Sequence, residues 1–307
     1  MREITDRRRF LASAVVLAGA GGAASTVEAS RLSQPTPGDD AGRSPREAEP
    51  RWFFEPQDRA MIWSLGLDRT ARVLDAGCGK GDHVQLLAER CREGSVAALD
   101  ISPTAVAAIN ARFAQSPLKN RVTVHEADVL KTPFGASTFD LAWSSHTMHI
   151  LNDPVAGVRE LARVVKPGGR VVIREDAYSA RLLPLDIGIG EPGLESRMQA
   201  AFTKWFAADR LERGRVPYGW PRVLTNAGLR GIKTTSFTFQ LSPPFSPMQT
   251  EYLRGFLRRN AELAHLDATD KDTLLRITEP GTPDDALSRD DLHFTDLATV
   301  YVGTVGE

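Results

Sequence analysis

Three groups of residues in this 307-residue chain are placed to do chemistry. Gly77, Gly79 and Gly81 follow an apolar run and the carboxylate Asp75 in VLDAGCGKGDH, residues 73–83. A strand that feeds a glycine loop and then a helix lets backbone amides approach a charged ligand closely. Asp75 stands at the end of that strand, where a buried carboxylate needs donors from the loop or from a ligand. Asp100 closes the next apolar run, SVAALD (95–100). It lies about 20 residues past the loop, where a carboxylate grips a ribose diol and disfavours a 2′-phosphate. The loop spacing is G-x-G-x-G, one residue short of the G-x-G-x-x-G dinucleotide fingerprint, so it weighs against NAD. The third group is His146 and His149 in SSHTMHILNDP, followed in the chain by Glu175, Asp176 and Tyr178. Histidine titrates nearest neutral pH and is the natural proton acceptor of such a set. His83 opens a helix and His125 lies in a strand, and both read as structural.

The elements that must carry these groups alternate. RVLDAG (72–77), SVAALD (95–100), RVTVHEAD (121–128), FDLAWSS (139–145) and RVVIRED (170–176) read as strands. An amphipathic helix is expected over 82–92 and another over 102–114, the latter opened by a serine cap and a proline. A third helix stops at Pro167-Gly168-Gly169, and a further one precedes the first strand over 53–67. This alternation implies a doubly wound α/β sheet with right-handed crossovers. After residue 177 the rhythm changes to helical segments at 193–213, 220–229 and 247–266 and strands at 231–241 and 297–305.

The runs VLDAGCGKG, LDIS, HEADVLKTPF, TFDLAWSSHTMHILNDP and ELARVVKPGGRVVI, in this order over 72–175, resemble the class I S-adenosylmethionine-dependent methyltransferases. The likeness is strongest to their small-molecule branch related to ubiquinone and sterol methylation. It implies a Rossmann-like seven-stranded sheet, mostly parallel with an antiparallel last strand, helices on both faces and helical lid inserts at 179–217 and 242–290. It also implies S-adenosylmethionine as cofactor and in-line transfer of a methyl group to a small-molecule acceptor. On the matching positions, Asp75, Gly77 and Gly79 meet the methionine part and Asp100 the ribose. Ile101 packs on the adenine, Asp128 accepts from its amino group, Val129 offers backbone contact, and Ser144 faces the methionine moiety. His149 matches a histidine of the relatives that often packs or acts at second hand. It and His146 are the two candidate bases. Ala127 replaces a frequent glycine, and Lys80 stands where a small residue is usual. An NAD-dependent oxidoreductase and a non-methylating cofactor-binding relative are the alternatives.

The formal charge of −1 leaves no footprint for nucleic acid, and no apolar run is long enough to span a bilayer. The two cysteines are too far apart to bridge if 81–91 is helical, and no metal-ligand cluster is evident. Residues 1–29 carry Arg7-Arg8-Arg9-Phe10-Leu11 and then an Ala/Gly-rich stretch, which resembles a twin-arginine export signal with Asp6 departing from its pattern. Residues 30–50 read as a disordered linker and 51–307 as the folded domain. Cytoplasmic catalysis, where the cofactor is made, is in tension with such a signal. The aromatics Trp205, Phe206, Tyr218, Trp220 and Phe256 in or near the inserts either line an acceptor pocket or pack the inserts themselves.

Overall fold

The computed structural model describes residues 16–17, 51–175, 180–213, 217–263 and 266–307. Seven strands carry the fold: β1 (Arg72–Ala76), β2 (Ser95–Asp100), β3 (Val122–Glu126), β4 (Phe139–Ser145), β5 (Val165–Arg174), β6 (Arg230–Leu241) and β7 (Phe294–Thr304). The helices are α1 (Arg51–Ser64), α2 (Asp82–Arg90), α3 (Pro103–Phe113), α4 (Pro154–Val164), α5 (Leu194–Arg213), α6 (Trp220–Asn226), α7 (Pro247–Leu263) and α8 (Ala268–Arg276). The sheet runs β6-β7-β5-β4-β1-β2-β3, and Val16–Leu17 adds a two-residue eighth strand beyond β6. β1 to β5 are mutually parallel where they pair, and β7 is antiparallel to both neighbours, as expected for the last strand. Strand order reverses at β1, between β2 and β4, so the crevice of a doubly wound sheet opens outside the carboxyl ends of these strands.

Both faces of the central strands are buried, which explains their unbroken apolar runs. Successive side chains alternate between two clusters, following the period of two along a strand. Val73, Trp143 and Val172 join Met61, Ile62 and Leu87 on the face that α1 and α2 cover. Leu74, Ala142 and Val171 join Val158, Leu161 and Leu224 under α4 and α6. A third cluster belongs to the inserts and the far end of the sheet, with Leu182, Leu194, Leu253, Leu257, Leu274 and Phe294 among its members.

The helix starts obey capping rules. Ser102 accepts from the Ala105 amide with Pro103 at the first turn, and Asp153 accepts from Ala156 with Pro154 there. Helix α8 was not expected from the sequence. Its polar run ATDKDTLLR shows little periodicity, and it starts on Asp267, which accepts from the Asp270 amide. Strand β5 begins at Val165, ahead of the expected 170, because the Pro167–Gly169 turn is itself drawn into the sheet. The signal-like and linker readings for 1–29 and 30–50 lie outside the described residues except Val16 and Leu17, which pair with Phe237 and Ser236. Among the described residues no helix is long and apolar enough to cross a membrane. Cys78 and Cys91 are buried thiols.

Candidate active site

The glycine loop leaves β1 with Gly77, Gly79 and Gly81 all at positive φ (75°, 54° and 83°), a backbone that only glycine adopts without strain. A Cβ on Gly77 would collide with the Thr147 side chain, whereas one on Gly79 would meet open space. Gly77 is therefore required by packing and Gly79 by conformation alone. Thr147 Oγ1 donates to Ser145 O at 3.0 Å and to Gly77 O at 3.3 Å, which ties the turn after β4 to the loop after β1. Asp100 is buried and closes the loop: its Oδ2 accepts from the Gly79 amide at 2.9 Å and its Oδ1 from the Ser102 amide at 3.0 Å. A carboxylate oxygen can accept from more than one donor.

Beside Asp100, Ile101 is 61% exposed and Leu130 is 41% exposed, while Val129 between Asp128 and Leu130 is buried. Asp128 is exposed, with Oδ1 accepting from the Leu130 amide at 2.8 Å. Two apolar side chains standing in solvent between two carboxylates suit a flat heterocycle joined to a diol, so these residues fit the adenosine half of the expected cofactor. The Ser144 hydroxyl, buried, donates to Ala76 O at 2.8 Å and braces the base of the loop. Lys80 is exposed; its carbonyl accepts from Arg112.

The two histidines after β4 separate sharply in environment. His146 is buried at φ 49°, a left-handed conformation rare for a side chain of its size. Its Nε2 meets Arg174 Nη1 at 2.5 Å. Arginine can only donate, so Nε2 holds its lone pair there and the ring proton sits on Nδ1. The Nε2 lone pair is thus engaged by Arg174. His149 lies on a short 3₁₀ turn, Met148–Ile150, with its side chain 17% exposed. Its Nδ1 bonds Glu175 Oε2 at 2.7 Å, and its amide donates to Glu175 Oε1 at 3.2 Å. Glu175 is buried, and its own amide donates to Thr299 O, so β7 fixes the carboxylate that fixes the imidazole. An anion on Nδ1 selects the tautomer with the proton there and leaves Nε2 basic.

His146, His149 and Glu175 each offer a ligand atom within 4.8 Å of the others, a grouping the sequence had not suggested. The Arg174 guanidinium against His146 places a fixed positive charge where a metal ion would have to compete, and the set reads as a hydrogen-bonded network.

The aromatics divide. Phe206 reaches within 6.0 Å of the His149 ring, and Phe202 stacks on Phe206 at an interplanar angle of 12° with Trp205 beside it. Phe256 is buried against Phe294 and packs the insert, Trp220 opens α6 half-buried, and Tyr218 is exposed. Phe202 was missed by sequence reading, although its place one turn before Phe206 on α5 was available. Asp176 and Tyr178 lie outside the described residues.

Beneath the loop lies a polar group that the sequence reading did not connect. Asp58 on α1 and His83 on α2 approach to 3.5 Å, with side chains 12 and 15% exposed. Burial pulls the His83 pKa down, but the charge of Asp58, with a smaller part from Asp75, pushes it above its ordinary value. Burial likewise works to raise Asp58, and His83, with a smaller part from Arg174, outweighs it and holds the carboxyl low. His125 packs edge-on to Phe134.

Residues 74–173 match a family model described as a methyltransferase domain. The chain is 31% identical over 102 residues to 27-O-demethylrifamycin SV methyltransferase of Amycolatopsis mediterranei, covering 33% of this chain and 37% of that protein. It is 29% identical over 128 residues to the ubiquinone/menaquinone biosynthesis C-methyltransferase of a Geobacter species, covering 41% of this chain and 54% of that one. The chain thus spans about a third to a half of the length of these relatives. A Bacillus halodurans chain solved as a candidate methyltransferase superposes with a TM-score of 0.51 at 14% identity over 81% of this chain and 99% of that one, a likeness of fold. The stretch that matches the methyltransferase domain is the stretch that builds the glycine loop, the Asp100 and Asp128 carboxylates and the histidine turn.

Proposed function

We propose that this protein is an S-adenosylmethionine-dependent methyltransferase that acts on a small-molecule acceptor bearing a dissociable proton. The observation that carries the reading is the placement of the Asp100-closed glycine loop and the His149–Glu175 pair at one end of the sheet, with the loop, Asp100 and His149 inside the segment that matches the methyltransferase domain and Glu175 two residues past its end. Asp100 would hold the cofactor's ribose, Ile101 and Leu130 its adenine, Asp128 the adenine amino group with the Val129 backbone beside it, and Asp75 with Gly77 and Gly79 the methionine end. When bound, the cofactor supplies a methyl group already activated on a sulfonium.

The chain's own work is alignment, exclusion of water and one proton transfer. Glu175 holds the Nδ1 proton of His149, so the acceptor's proton moves to His149 Nε2 and the resulting imidazolium is stabilised by the same carboxylate. His146, engaged by Arg174, is a positioning residue for the turn rather than a base. Phe202 and Phe206 on α5 cover the His149 side and keep water from the acceptor.

Calorimetric titration of the full chain with S-adenosylhomocysteine and with NAD tests the cofactor. Binding of the first alone, lost in Asp100→Ala, supports the reading; binding of NAD alone points to an oxidoreductase and overturns it.

A further inference from the structure

The Asp58–His83 pair is expensive. A buried ion pair costs several kcal/mol of desolvation per charge, and well-packed apolar residues of the same volume are often at least as stable. Stability alone does not explain why α1 turns a carboxylate and an amide, Asp58 and Gln57, inward above Met61 and Ile62, where an amphipathic helix would carry apolar residues. Gln57 is 4% exposed, and its Oε1 has no hydrogen-bond partner among the described residues. Trp143 Nε1, on the β4 side of the same pocket, is in the same condition, and its ring lies 5.2 Å from that of His83. The group sits where α1, the first turn of α2 and the ends of β1 and β4 meet, next to Asp75 at the base of the glycine loop. Titratable groups perturbed by burial and a specific charge partner at such a place are candidates for function.

We propose that Asp58 and His83 are positioning residues for the amino-acid end of the cofactor: they lock α1 onto α2 across the glycine loop and, with Gln57, complete a polar subsite around Asp75. This rests on the cofactor reading above and extends it to a helix outside the matched segment 74–173. The subsite is zwitterionic. Asp75 supplies the negative member for an ammonium and His83, balanced by Asp58, the positive member for a carboxylate. The adenosine end is served by Asp100, Ile101 and Asp128, on the other side of β1, and is independent of α1.

Two ligands separate the ends. S-adenosylhomocysteine carries the amino-acid group, and 5′-methylthioadenosine lacks it. The full chain, its Asp58→Asn variant and its His83→Gln variant are titrated with both by calorimetry, with thermal unfolding run in parallel. The expected result is about a tenfold loss of S-adenosylhomocysteine affinity in each variant, with methylthioadenosine affinity changed less than about twofold. Equal losses for both ligands would mean that the pair supports the fold only, and unchanged affinities would mean that it supports neither; each overturns the inference while leaving the methyltransferase reading in place. A wild-type chain that binds neither ligand overturns both. Should Asp58→Asn fail to fold, His83→Gln carries the same comparison.

Discussion

Between β1 and β5 the chain buries charge; between α5 and α8 it buries leucine and phenylalanine. Asp75, Asp100, Arg174 and Glu175 are each no more than 3% exposed, and they lie at the sheet ends that face the crevice. Across from them Leu253, Leu257, Leu274 and Phe294 make an apolar cluster of their own, in which the buried charges are a few arginine–carboxylate clamps and Glu195. Arg254 reaches Asp285 with both terminal nitrogens, at 3.3 and 3.4 Å, and Arg197 grips Asp270 at 2.6 and 2.7 Å. The first region spends stability on a fixed electrostatic environment, as a site for a charged ligand must. The second is built like a small independent core, so its inner surface can change between proteins without disturbing the first.

That contrast can be broken by mutation, and the largest effect belongs to the charged side. Replacing His149 by Ala should lower turnover by about 10²- to 10⁴-fold while S-adenosylhomocysteine affinity stays within a few-fold of wild type, as steady-state kinetics and calorimetry would read. Glu175→Gln should lose part of that rate and shift its pH profile; a change in affinity without one in rate would move the pair out of the chemistry. On the apolar side Leu257, fully buried, is the matching probe. Leu257→Ala should cost about 2–5 kcal/mol in urea unfolding, with cofactor affinity preserved.

The third test lies on the border between the regions. Glu195 at the start of α5 accepts from the Leu182 amide at 2.7 Å, and burial pushes its carboxyl up to about 7, against pulls from the Leu182 and Leu183 amides and Arg181. A pKa raised on folding contributes stability in full below about pH 4.5, and that contribution is lost as pH rises through about 7. Unfolding measured at pH 5 and pH 8 should show this loss, on the order of 3 kcal/mol, and Glu195→Gln should abolish it. The smallest effect is expected at Arg276 and Asp284, an exposed pair at 3.0 Å. Arg276→Ala should shift stability by less than about 1 kcal/mol, and a larger shift would show the clamps to be a coupled network.

The charged side was the legible one. Asp100 and the three glycines announce themselves because a loop with positive φ has few sequence solutions, and β1 to β5 because strands buried on both faces read as short apolar runs. What stayed hidden was pairing across distance. His149 and Glu175 stand on different strand ends and meet only because β4 and β5 are neighbours, and nothing in their spacing selects His149 over His146. Asp58 was invisible for the same reason: its partner lies on another helix, and a lone Asp in a helix reads as a solvated face. The Ser144 contact was hidden too, since only the parallel pairing of β1 and β4 brings its hydroxyl against the Ala76 carbonyl. Helix α8 escaped since its apolar residues are few and its polar ones cap and clamp.

Strand β7 carries a consequence for the order of events during synthesis. β5 and β6 do not touch each other in the ladder; each bonds to β7, with Arg170 opposite Thr304 and Leu241 opposite Phe294. Without Phe294–Thr304, β5 has an open flank and β6 has no ladder to the rest of the sheet. Glu175 meanwhile lacks the Thr299 carbonyl that anchors its amide. On the proposed reading, the carboxylate that orients His149 is therefore fixed only once β7 has docked, after β1 to β6 have been translated.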